Sequence, residues 1–155
     1  MSKIVILLTA MLFSTNPGLA GPGEDLKKVK SFISDLADDR VDYDTIIQKH
    51  LCIGNKVLSP PEQEEKDAAL KAMLEALREQ LQKNPAPGIN KYSKVPRKYQ
   101  TLQIEEEEES NVYALQVKGK DEPPGLILVK DGRIASFTAI SKSGMRSFLL
   151  ICSDL

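Results

Sequence analysis

Neither charge sign is in excess in this chain: 21 lysines and arginines stand against 22 aspartates and glutamates, for a formal net charge of -1. A phosphate backbone is held by surplus cationic side chains, so nucleic acid is excluded as an expected partner. Metal-ligand clusters, a glycine-rich phosphate loop and a catalytic triad signature are also missing. No motif therefore assigns a reaction, and no cofactor or metal is expected. Histidine occurs once, and cysteine only at Cys52 and Cys152. Long apolar runs are lacking as well. The longest opening run, Ile4 to Phe13, is about half of the roughly 20 residues that a membrane span requires.

What the chain does have is 41% hydrophobic and 28% charged content over 155 residues, ordinary for one globular domain. Lys3 precedes the apolar run, and Ser14 to Pro17 lead to the small-residue end Gly18-Leu19-Ala20. This order is that of a secretory signal peptide over residues 1–20, leaving residues 21–155 as a single exported domain. Pro17-Gly18 would break a helix where a span has to continue, and no cysteine follows Ala20 to carry a lipid anchor. No stable membrane anchor is therefore expected, and the destination is periplasmic or extracellular. In an oxidising compartment an even cysteine count suggests a bridge between Cys52 and Cys152, with two separate buried thiols as the other reading.

Leu26, Val29, Phe32, Ile33 and Leu36 recur three and four apart, which predicts an amphipathic helix over 24–37. Asp42 or Asp44 can open a short helix carrying Ile46, Ile47 and Leu51. Ser59, Pro60, Pro61 and Glu62 form a capping box with proline in the first turn, ahead of a long helix that runs to Asn84-Pro85. After the basic connector Lys91 to Lys98 the period changes to that of strands: Leu102 and Ile104, then Tyr113 to Val117, then Leu126 to Val129. Asp131-Gly132 predicts a tight hairpin returning along Ile134 to Ile140, and Ser143-Gly144 a second turn into Met145 to Cys152. The expected fold is α+β, with N-terminal amphipathic helices packed on a curved four-stranded antiparallel meander.

This order, with the strands Asn111 to Val117, Leu126 to Phe137 and Arg146 to Ile151, resembles the nuclear transport factor 2-like, cystatin-like superfamily. The resemblance covers most of residues 24–153 and rests on element order and the Val129 to Ile134 hairpin. It implies a cone-like fold whose sheet curls around the long helix and leaves a cavity, which different members use for catalysis, ligand binding or dimer formation. Fold therefore does not choose function.

Histidine is the side chain best suited to acid–base catalysis near neutral pH, which makes His50 a candidate. The resemblance implies pairing with a Tyr or Asp, for which Tyr43 and Asp42 or Asp44 are the local candidates; a satisfied structural histidine is the plainer reading. Glu105 to Glu109, read as a strand end, would put Glu106 and Glu108 on one face, able to accept a proton or hold a hard cation, or would simply be solvated. The basic and aromatic connector Lys91 to Tyr99 is either an anion-binding surface or a partner for those glutamates. Tyr113, Phe137, Met145 and Phe148 are read as core, or as the lining of a ligand cavity.

Two functional readings compete. One is an exported binding or protein-interaction module that takes a small apolar ligand between helix and sheet. The other is a small lyase, isomerase or hydrolase using His50 or Glu106. A homodimer through the sheet face would require exposed apolar residues on 112–117 and 134–140. N-terminal sequencing of the exported protein should begin at Gly21; an intact Met1 would overturn the leader.

Overall fold

The computed structural model describes residues 22–54 and 57–152; the expected leader lies outside them. The fold is α+β, with helices first and strands after. Helix α1 (Pro22–Ala37) buries Val29, Phe32, Ile33 and Leu36, the stripe that its spacing predicts. Helix α2 (Tyr43–His50) is capped by Asp42, which accepts from the Thr45 amide at 2.8 Å and from its hydroxyl at 2.7 Å. In α3 (Pro60–Lys83) the expected capping box forms, the Ser59 amide donating to Glu62 Oε2 at 2.9 Å. Leu70, Leu74, Leu77 and Leu81 form the buried stripe of α3.

Four strands make one antiparallel sheet in chain order: β1 (Gly88–Lys91), β2 (Val112–Gln116), β3 (Leu126–Lys130) and β4 (Arg133–Ser136). A separate pair, β5 (Ala139–Lys142) and β6 (Met145–Phe148), forms a two-stranded ribbon. Both turns have the backbone that their residues favour, with Asp131 at φ 50°, Gly132 at 69°, Ser143 at 53° and Gly144 at 81°. Positive φ at both central positions matches the twist of the flanking strands.

The main sheet is apolar on both faces. Tyr113, Leu115, Ile127, Val129, Ile134 and Phe137 pack with the stripes of α1 and α3. Val112, Ala114, Leu126, Leu128 and Ala135 pack on the other side with Tyr92, Val95, Tyr99, Leu102, Ile104 and Phe148. The connector is therefore the second cover of the sheet, its apolar members inward.

Four expectations about the strands need correction. Strand β1 was not expected, because Gly-Ile-Asn-Lys has one large apolar residue and no pattern; it forms by pairing along β2, helped by Asn90 Nδ2 donating to Gln116 Oε1 at 2.6 Å. Leu102 to Ile104 is not a strand: only Leu102 bridges Arg146, in parallel sense. The glutamates make a one-turn helix, α4 (Glu106–Glu109), in place of a strand end, and acidic side chains in a first helical turn face the positive end of the helix dipole. Finally, Ile134 to Ile140 is not one strand. The chain turns a corner at Phe137-Thr138, where Ser136 Oγ donates to the Leu149 carbonyl at 2.7 Å and accepts from the Thr138 amide at 3.4 Å.

Cys52 and Cys152 form a disulfide with Cα atoms 5.4 Å apart. On either side of it, Cys52 N–H donates to the Ile134 carbonyl and Ile151 N–H to that of Ala135, each at 2.9 Å. The bond spans a sequence separation of 100 residues, for which chain-entropy arguments give roughly 4 kcal/mol of stabilisation. The double variant Cys52→Ser/Cys152→Ser should lose about that amount in urea unfolding; an unchanged midpoint would show that the cross-link does not constrain the unfolded chain.

Candidate functional site

The sequence-predicted acid–base group does not assemble. His50 is 5% exposed and its partner is Asp35 of α1, with Nε2 2.6 Å from Asp35 Oδ2. The same carboxylate oxygen accepts from Lys49 Nζ at 2.6 Å, and the imidazole meets the Phe32 ring edge-on at 5.8 Å between centroids. Helix α2 presents Lys49 and His50 in its last turn, where cations favour the helix dipole. Arg133 Nη1 adds a bond to the Gln48 carbonyl at 2.9 Å. The Lys49 ammonium, followed by the His50 ring, holds the Asp35 carboxyl below the usual carboxylate range. A carboxylate that orients an imidazole is part of proton-transfer chemistry, but this ring is packed inward and ties α1 to α2.

Tyr43 lies instead beneath Arg78, whose guanidinium carbon is 4.3 Å from the ring centre. Arg78 also donates from Nε to the Leu36 carbonyl at 2.8 Å and from Nη2 to that of Val41 at 2.7 Å, so it satisfies the open end of α1. Asp44 pairs with Lys71 at 2.9 Å and Asp42 is the α2 cap. Glu106 is exposed on α4, and Glu108 pairs with Lys130; the one-turn helix removes the shared strand face. Lys91 turns to the Ser110 carbonyl and to Tyr113 Oη, the latter at 2.8 Å, while Lys98 reaches Asp121 at 3.6 Å. The connector and the glutamate run therefore form no ion pair with one another among the described residues.

The interior between helices and sheet is filled by side chains, including Phe32, Leu36, Leu74 and Tyr113 at 0–1% exposure. Open space lies at its margin. A groove of about 410 Å³ runs between α3, which gives Met73, Ala76 and Gln80, and the strand corner, which gives Phe137, Ala139 and Ser141. It lies where β5 leaves the line of β4 and pairs with β6. Gly125 keeps the groove's neighbourhood tight: a Cβ there would stand 3.2 Å from Leu115 Cδ1. Arg146, paired with Glu122, is the one ionisable residue among the described residues that line this groove. Of the three candidate ligand residues, only Phe137 borders the groove. Tyr113 is buried, and Phe148 lies in a separate depression with Ile104, Glu105 and Leu128.

Sequence reasoning missed Asp35, Arg78 and the groove. Asp35 and Arg78 act across 15 and 42 residues, beyond the reach of local spacing. The corner had one local signal, the break in alternation at Ser136-Phe137-Thr138. Comparison of the chain with protein families, curated proteins and solved structures gives no match.

Because the folded Asp35 carboxyl titrates lower than in the unfolded chain, its contribution is full above about pH 4 and fades as pH falls through the folded value. Asp35→Asn should cost about 1.5 kcal/mol near pH 6, and the gap from the parent should narrow below about pH 4. Thermal melts from pH 2 to 7 check this; a gap independent of pH would remove the ionic origin.

Proposed function

We propose that this chain is an exported binding module whose ligand is a small, predominantly apolar molecule seated in the groove between α3 and the corner of β4 and β5. Export through the leader at residues 1–20 is part of the same proposal. The disulfide supports an oxidising, extracytoplasmic destination, and no helix of the described residues is long and apolar enough to cross a membrane.

The observation that carries the reading is the groove's composition. Met73, Ala76, Leu77, Leu126, Phe137 and Ala139 offer apolar contact, while Gln80, Thr138 and Ser141 offer a few neutral polar groups. Small-molecule sites are built in this proportion. Arg146, already bound to Glu122, supplies a fixed ion pair in place of a free acid or base. His50 faces Asp35 and Phe32, away from this lining. The nuclear transport factor 2-like resemblance is kept as a proposal about ancestry, supported by the order of helices and strands.

The dye 1-anilinonaphthalene-8-sulfonate is a suitable probe, since its emission rises on transfer to an apolar site. Native protein should enhance it, and Ala76→Trp, which fills the groove, should weaken binding about tenfold. Ile140→Lys, on the outer ribbon face, should leave it unchanged. The opposite result, with loss at Ile140 and retention at Ala76, would move the site out of the groove and overturn the reading.

A further inference from the structure

The free edge of β5 is arranged to meet a copy of itself. In the ribbon Ala139 faces Phe148, Ile140 faces Ser147, Ser141 faces Arg146 and Lys142 faces Met145. The Leu149 amide donates to the Thr138 carbonyl at 3.0 Å, which makes Thr138 and Leu149 a hydrogen-bonded pair. Bonded and non-bonded pairs alternate along an antiparallel ladder. Ile140 and Lys142 therefore bond inward to β6, while the backbone groups of Ala139 and Ser141 point outward from β5. The corresponding outward groups of Arg146 on β6 are taken, its amide donating to the Thr101 carbonyl at 2.8 Å and its carbonyl accepting from Gln103 N–H at 2.7 Å. The outer edge of β4 is likewise bridged by Leu51. Among the described residues, Ala139 and Ser141 have no such cover.

Side chains on the ribbon point the same way. Residues opposite one another share a face, so Ile140 lies on one face with Ser147, and with Met145 and Leu149 diagonal to it. These three apolar side chains are 55%, 44% and 42% exposed. Sheet edges are ordinarily guarded by proline, a bulge or a charge in mid-strand. The strand Ala-Ile-Ser-Lys has none of these, its one charge standing at the end.

We propose that β5 pairs antiparallel with β5 of a second copy about a two-fold axis at Ile140, giving one continuous four-stranded ribbon. A single register uses all the outward groups: Ala139 of each copy opposite Ser141 of the other. It puts the two Ile140 side chains together as a non-hydrogen-bonded pair, where side chains are closest. It also sets each Lys142 opposite Thr138 of the other copy, so no like charges meet across the pair. The second copy is the occupant this charge pattern fits. Four paired residues and a modest apolar face cover less than the roughly 800 Å² per partner of a stable interface, so the dimer is weak.

Sedimentation velocity on the full chain with its disulfide intact should show a monomer–dimer equilibrium in the range of about 10–100 µM. Ile140→Lys should weaken it at least about tenfold. Ser141→Pro should do the same without opening the ribbon, because the amide it removes points outward. Under mild oxidation Ile140→Cys should cross-link copies through residue 140, whereas Lys142→Cys, opposite Thr138, should not. A chain that stays monomeric to about 1 mM, far above that range, with no cross-link at 140, overturns the pairing. So does equal cross-linking at 140 and 142. Binding of an extended apolar peptide to a monomeric chain, blocked by Ser141→Pro, would also overturn it and give the edge to a foreign strand. Dye binding retained by the monomeric Ile140→Lys variant separates failure of this pairing from failure of the groove.

Discussion

Burying a sheet that is apolar on both faces takes two covers, and this chain draws them from different parts of its length. The consecutive buried runs Val112 to Leu115 and Leu126 to Val129 leave no face of the central strands to water. Helices α1 and α3 close one side. The other is closed by a segment with little regular structure, where Tyr92 and Val95 are 3% exposed while lysines between and around them stay in solvent. Tyr92 also accepts the Leu102 amide on its hydroxyl at 3.0 Å, so the irregular cover has a polar anchor inside it. Burial raises the pKa of that phenol, which keeps it in the neutral form that fits an apolar cover.

Two covers on a sheet of four short strands leave the margins to be secured separately. The exit of α2 and the C-terminal tail both bond to β4, at Ile134 and Ala135, and the disulfide joins them to one another. Arg78 performs the same service for the end of α1, taking up its carbonyls and stacking on Tyr43. Arg133 does so for α2. Each of these links joins segments distant in sequence, and together they hold the helical half of the chain to the strand half.

What the sequence made legible follows from this division. Capping at Asp42 and at Ser59-Glu62, the apolar stripes of α1 and α3, and both tight turns are local chemistry, and each forms where the residues predict. The run Leu126 to Val129 is read correctly as a strand, but its burial on both faces is not, because the second cover comes from the irregular connector. The connector misled because its lysines and arginines dominate its composition, while the three apolar residues that decide its position do not fall at a strand or helix period. Strand β1 was illegible for the opposite reason: pairing along a neighbour's ladder outweighs weak local preference. His50 and Tyr43 take partners from other helices, Asp35 and Arg78, which local spacing does not reveal.

The corner at Phe137-Thr138 is where the fold and the candidate sites meet. The buried Ser136 hydroxyl is bonded to Thr138 beyond the bend and to Leu149 after β6, at the point where the chain leaves the sheet and β5 pairs with β6. One turn thus creates an apolar groove beside α3 and an uncovered strand edge along Ala139 and Ser141. Both features draw on the same two residues, Ala139 and Ser141.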